Sequence, residues 1–128
     1  MDLFAKLKEM KILLVDDDEW IRDSLSIYFE NEGCQLQALE TAEEGMESLK
    51  RQAYDIIISD YKLPGINGLE FLKFAQATHP DGIKILITAY KSEEVISEAM
   101  RIGVHDFLEK PFTTKSIETS LSRLVGNH

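Results

Sequence analysis

One cysteine in 128 residues, Cys34, excludes an internal disulfide, and no second cysteine or neighbouring histidine stands at metal-ligand spacing, so the sequence offers no thiol redox or zinc chemistry. Long apolar runs are missing too. Nothing approaches the roughly 20 residues of a membrane span, and the opening "MDLFAKLKEM" lacks the apolar core and cleavage site of a signal peptide. A cytoplasmic protein without membrane contact is expected. Basic charge is scarce: 14 Lys and Arg face 23 Asp and Glu, and the net charge of −9 argues against direct binding to nucleic acid. No Pro/Gly-rich or low-complexity stretch interrupts the chain, and a hydrophobic content of 44% with 29% charged residues is that of one folded domain.

What is present is an alternation of short β-prone apolar runs with longer stretches of helical period. "KILLV" (11–15) precedes a helix over about 20–32, with Ile21, Leu25, Tyr28 and Phe29 on one face and Gly33 as a left-handed stop. "QLQAL" (35–39) is followed by "TAEE", in which Thr41 and Glu44 can form a capping box, and a helix to about Arg51. "DIIIS" (55–59) leads through the turn-rich "LPGING" to a helix over about 68–78, with Gly65 and Gly68 read as turn residues. "IKILIT" (83–88) precedes a helix over about 92–102 with Val95, Ile96, Ala99 and Met100 inward. "DFLEK" (106–110) is the fifth strand, and Ile117, Leu121, Leu124 and Val125 mark the last helix. Strands that are apolar throughout call for helices on both faces. The expected fold class is therefore α/β, a doubly wound (βα)5 domain around a five-stranded parallel sheet.

In such sheets sites form at the carboxyl ends of the strands. There the sequence puts Asp16 and Asp17 after the first strand, Asp60 after the third, Thr88 ending the fourth and Lys110 ending the fifth. Three carboxylates in one crevice repel each other unless a cation neutralises them, and all-oxygen ligands suit Mg²⁺. Lys110 and Thr88 add donors for phosphoryl oxygens, so the set reads as a phosphoryl-transfer site. Taken singly each residue has a plainer reading: Asp18 and Glu19 as helix-start acids, Asp60 as a turn residue, Lys110 as a surface lysine, Phe107 as core.

"VDDD", "SDYKLPGINGLE", "ITAY" and "DFLEKPF" occur in order, with 43, 28 and 22 residues separating Asp17, Asp60, Thr88 and Lys110. With these motifs the chain resembles the receiver domains of response regulators in bacterial two-component systems, from Lys11 to about Val125. The resemblance implies a flavodoxin-like receiver fold and a signalling switch rather than an enzyme. Asp60 would be the phosphoacceptor, charged by a histidine kinase or phosphotransfer protein. Asp16 and Asp17 would hold Mg²⁺ with Asp60 and the backbone carbonyl of Lys62. Lys110 would bind the phosphoryl group, Thr88 would be drawn toward it, and Phe107 would be the aromatic switch. It further implies a cis peptide between Lys110 and Pro111. Output would pass through the fourth helix, fifth strand and fifth helix of the (βα)5 unit, with Tyr90, Lys91, Arg101 and His105 as contact candidates, to an effector protein, to an effector domain of a longer parent, or to a phosphorylation-dependent dimer. Lys62 and Tyr90 stand where they would tune the lifetime of the phosphorylated form.

The expected organisation is a single receiver domain over residues 1–128, with an extension over 1–10, a core over 11–125 and no effector domain. The extension carries Leu3, Phe4 and Leu7 at helical spacing, consistent with an extra turn packed on the domain or at a dimer contact, the default being a frayed end. Two other classes remain: a phosphate-independent pseudo-receiver, and a Mg²⁺-dependent aspartyl phosphohydrolase. The second usually needs an acid two residues after its nucleophile, where this chain has Lys62. His79, His105 and His128 do not cluster in sequence.

Overall fold

In the computed structural model, residues 2–126 are described; His128 lies outside them. Five strands, β1 (Lys11–Val15), β2 (Gln35–Leu39), β3 (Ile56–Asp60), β4 (Ile83–Thr88) and β5 (Asp106–Glu109), form one parallel sheet in the order β2-β1-β3-β4-β5. Six helices accompany them: α1 (Leu3–Leu7), α2 (Glu19–Asn31), α3 (Ala42–Arg51), α4 (Gly68–Thr78), α5 (Glu93–Ile102) and α6 (Thr114–Gly126).

The pleat sorts each apolar run between two cores. Ile12, Leu14, Ile56, Ile58, Ile83, Ile85 and Ile87 face one layer with Leu25 and Phe29 of α2 and Ile117 and Leu121 of α6. Leu13, Val15, Ile57 and Leu86 face the other, with Leu49 of α3, Phe71 and Leu72 of α4 and Ala99 of α5. Continuous hydrophobicity in β1, β3 and β4 is thus the signature of two covered faces, whereas the edge strand β2 is only partly buried.

Local signals end the helices as expected. Asp18 caps α2 through the Trp20 amide, Thr41 and Glu44 complete a reciprocal capping box on α3, and Gly33 takes φ 77° just beyond α2. The Lys110–Pro111 peptide is cis.

Three expectations need correction. The N-terminal segment is not frayed: Asp2 caps α1, Leu7 is completely buried, and Phe4 meets Tyr28 edge-on at 6.1 Å, so the apolar side of α1 closes the seam between α2 and α6. Met100 does not face inward. It is 65% exposed, because Ala99 takes the buried position and the rotation to the next residue carries Met100 out to solvent. β3 begins at Ile56 and includes Asp60, since Asp55 spends both its carboxylate and its amide on Lys11 at the start of β1.

Candidate functional site

Strand register assembles the site. β1 pairs with both β2 and β3, so strand order reverses there and opens a crevice at the carboxyl ends. Val15 is level with Ser59, Asp60 with Ile87 and Thr88 with Glu109, which places Asp16, Asp60, Thr88 and Lys110 along one edge. Backbone bonds fix that edge: Asp16 N–H donates to Leu39 O at 3.0 Å, Tyr61 N–H to Ile87 O at 2.7 Å and Lys110 N–H to Thr88 O at 2.9 Å.

Carboxylate oxygens of Asp16, Asp17 and Asp60 lie within 4.8 Å of one another. Asp16 is fully buried and Asp60 is 4% exposed, while Asp17 faces solvent. Lys110 Nζ stands 3.0 Å from Asp60 Oδ2 and 3.4 Å from Asp16 Oδ2. Asp16 Oδ1 accepts from the Asp18 amide at 2.9 Å, but Oδ2 is buried without a hydrogen bond, the Lys110 contact being only an ion pair. Burial, with the nearby Asp60 charge adding to it, pushes the Asp16 carboxyl up to about 6 despite the Asp18 amide. Burial raises Asp60 as well, against the hydrogen bond and charge of Lys110. Burial alone would lower Lys110, yet its bond to Asp60 and the charges of both acids leave it above the usual lysine range.

A groove of about 960 Å³ opens over this cluster, lined in part by Asp17, Asp60, Lys62, Thr88, Tyr90 and Lys110. Thr88 is buried, and its hydroxyl donates to Tyr90 O at 2.9 Å while accepting from the Tyr90 amide at 3.1 Å, so it is engaged with its own loop. Phe107 does not line the groove: it sits partly buried at the margin of the α3–α4–α5 core. Lys91, Arg101 and His105 are exposed with Tyr90 around α5 and β5, and Arg101 is paired with Glu98. His79 bonds Thr78 and His105 Nδ1 pairs with the Lys84 amide, at separate points of the fold.

Gly68 opens α4 where the helix over about 68–78 is expected, and beyond the turn role read for it, it lies directly against the Asp60 backbone. A Cβ there would stand 2.0 Å from Asp60 O. The sequence signal was available in Asn67, whose side chain caps α4 through the Glu70 amide and so starts the helix at Gly68.

A family model described as the response regulator receiver domain matches residues 12–122. The chain belongs to this family. Among curated relatives, the receiver domain is 34% identical over 113 residues to the response regulator protein FleR of Pseudomonas aeruginosa, a match covering 88% of this chain and 24% of that protein. It is 32% identical over 101 residues to the transcriptional regulatory protein FixJ of Bradyrhizobium diazoefficiens, covering 79% and 49%. The receiver domain therefore spans between a quarter and a half of these relatives' length. A CheY-like response regulator receiver domain protein from Methanospirillum hungatei superposes with a TM-score of 0.83 at 29% identity, covering 93% of this chain and 98% of that one. Among the described residues of the receiver domain no helix is long and apolar enough to cross a membrane.

Proposed function

We propose that this receiver domain is a phosphorylation-dependent switch in which Asp60 accepts a phosphoryl group from a histidine kinase or phosphotransfer protein. The observation that carries the reading is the environment of Asp60: a nearly buried carboxylate at the floor of a groove, bonded to Lys110, with Asp16 and Asp17 beside it.

An oxygen of Asp60 would attack phosphorus; the O–P bond forms as the donor's N–P bond breaks, and the histidine nitrogen leaves with its electron pair. Lys110 would exchange its bond to Asp60 for one to a phosphoryl oxygen. Three carboxylates, one with a buried oxygen that lacks a hydrogen bond, fit Mg²⁺, which Asp16, Asp17, Asp60 and the Lys62 carbonyl would hold. Bound there, the ion would offset the charge that the incoming phosphoryl group brings to the cluster. Thr88 would trade Tyr90 for a phosphoryl oxygen, and Phe107 would follow into the space released. That movement would alter the surface of α5, β5 and α6, where Tyr90, Lys91, Arg101 and His105 are the contact candidates for an effector or a second copy. The donor would reach Asp60 past an apolar groove of about 450 Å³ beside Lys110, bordered by Trp20, Ile21, Pro111 and Phe112.

Intact mass after incubation with acetyl phosphate and Mg²⁺ tests this reading. A gain of one phosphoryl group is expected, lost in Asp60→Asn and in EDTA. A folded protein that gains nothing overturns it in favour of a phosphate-independent interaction module. Continuous turnover of varied phosphate esters would favour the phosphohydrolase, against which Lys62 stands.

A further inference from the structure

Arg22 has no part in the site as described, yet it reaches the site's backbone. From the first turn of α2 its Nη1 donates to the carbonyl oxygen of Asp16 at 2.9 Å, and the guanidinium is partly buried. That carbonyl belongs to the peptide joining Asp16 to Asp17, so its direction sets where the Asp17 side chain is launched. The other polar groups of Asp16 are spoken for or aimed into the site: N–H to Leu39, Oδ1 to the Asp18 amide, Oδ2 toward Lys110. Arg22 thus adds a second side-chain restraint, beside the Asp16 Oδ1–Asp18 amide turn, on a peptide that lies beyond the end of β1.

We propose that Arg22 is a positioning residue that presets the Asp16–Asp17 pair for a divalent cation by clamping the intervening peptide. The clamp rests on the phosphoacceptor reading above and adds a residue to it. Without the guanidinium the carbonyl loses its partner and the peptide is held only by the turn that the Asp16 Oδ1–Asp18 amide bond closes around it, so Asp17, exposed and unsupported by the sheet, gains freedom to move from Asp16 and Asp60. The cluster would then have to be ordered by the ion itself, so affinity falls while the chemistry at saturation changes little. Lysine keeps one donor but not the planar fork, so it restores the bond in part.

The test is a Mg²⁺ titration followed by the backbone amide resonances of Asp17 and Asp18 in wild type, Arg22→Met and Arg22→Lys, with thermal unfolding recorded for each. Arg22→Met should weaken Mg²⁺ binding about tenfold or more, with Arg22→Lys between it and wild type. The phosphorylation rate from acetyl phosphate at saturating Mg²⁺ should stay within about twofold of wild type. Equal affinities in all three folded proteins overturn the proposal, as does a loss of saturating rate that tracks loss of melting temperature, which would mark Arg22 as purely structural. A wild-type protein whose resonances ignore Mg²⁺ brings down the phosphoacceptor reading and the Arg22 role together, and the wild-type curve tells that case from failure of Arg22 alone.

Discussion

Both ends of the sheet bury charge, and they resolve it in opposite ways. At the carboxyl end Asp16 and Asp60 gather around Lys110 and leave Asp16 Oδ2 without a hydrogen bond. At the amino end Lys84 on β4 is 1% exposed, and its Nζ donates to the carbonyl of His79, which ends α4, at 2.5 Å. Burial lowers Lys84 to about 8, with Asp81 opposing. The lysine meets the negative end of a helix and is satisfied by it. The carboxylates meet one another, which leaves their end of the sheet with charge only partly compensated and makes it the candidate site.

Truncating the satisfied charge should cost most. Lys84→Ala removes a buried stem and strips the His79 carbonyl of its charged donor, leaving it the Gly82 amide alone, an expected loss of about 3 kcal/mol by denaturant unfolding. Lys84→Met, which refills the space, should recover roughly half of it. If both variants unfold like wild type, the amino-terminal charge is not structural and the contrast fails.

Next in size is Gly68→Ala. Its Cβ cannot fit 2.0 Å from Asp60 O, so α4 must retreat from β3; about 2 kcal/mol should be lost despite alanine's better helix propensity. Because the displaced backbone is that of Asp60, phosphorylation from acetyl phosphate should slow as well, whereas Lys84 variants that remain folded should keep it.

The carboxylate end should respond to neutralisation with the reverse sign. Asp16→Asn relieves a buried carboxylate, so at pH 7.5 without Mg²⁺ the variant should melt a few degrees above wild type, on the order of 1–2 kcal/mol, and should lack the Mg²⁺-dependent stabilisation expected of wild type. The two ends also tilt oppositely with pH. The unfolded chain releases the Asp16 proton near 3.8 and the folded one near 6, so this group makes stability fall as pH rises between those values. Folded Lys84 deprotonates near 8 and the unfolded residue near 10.5, so stability rises across that interval. Unfolding free energies of wild type, Asp16→Asn and Lys84→Met against pH would show each slope vanish with its own residue.

Period and caps made the (βα)5 alternation legible, because the runs at β1, β3 and β4 are apolar on both faces and Asp18 and Thr41 stand where helices begin. The carboxylates and Lys110 could be read because parallel strands end on one edge. Lys84 passed as one polar residue in an apolar run, since what buries it is a helix end that sequence spacing does not reveal. For α1 the helical spacing of Leu3, Phe4 and Leu7 is legible, but five residues are too few for periodicity to outweigh fraying; the buried Leu7 and the Phe4–Tyr28 contact decide it. The close approach of Gly68 to the Asp60 backbone and the bond from Arg22 to the Asp16 carbonyl are tertiary contacts that a list of residue types does not encode.

The order in which the site's parts enter the sheet has its own consequence. A growing chain carries Asp16, Asp17 and Asp60 long before Lys110, and Lys110 is held only once β5 has paired with β4. Until that last edge closes, three carboxylates repel one another with no fixed cation among them. If Asp60 is the phosphoacceptor proposed above, the complete site would exist only once β5 is in place, and a copy lacking that pairing would be silent rather than falsely active.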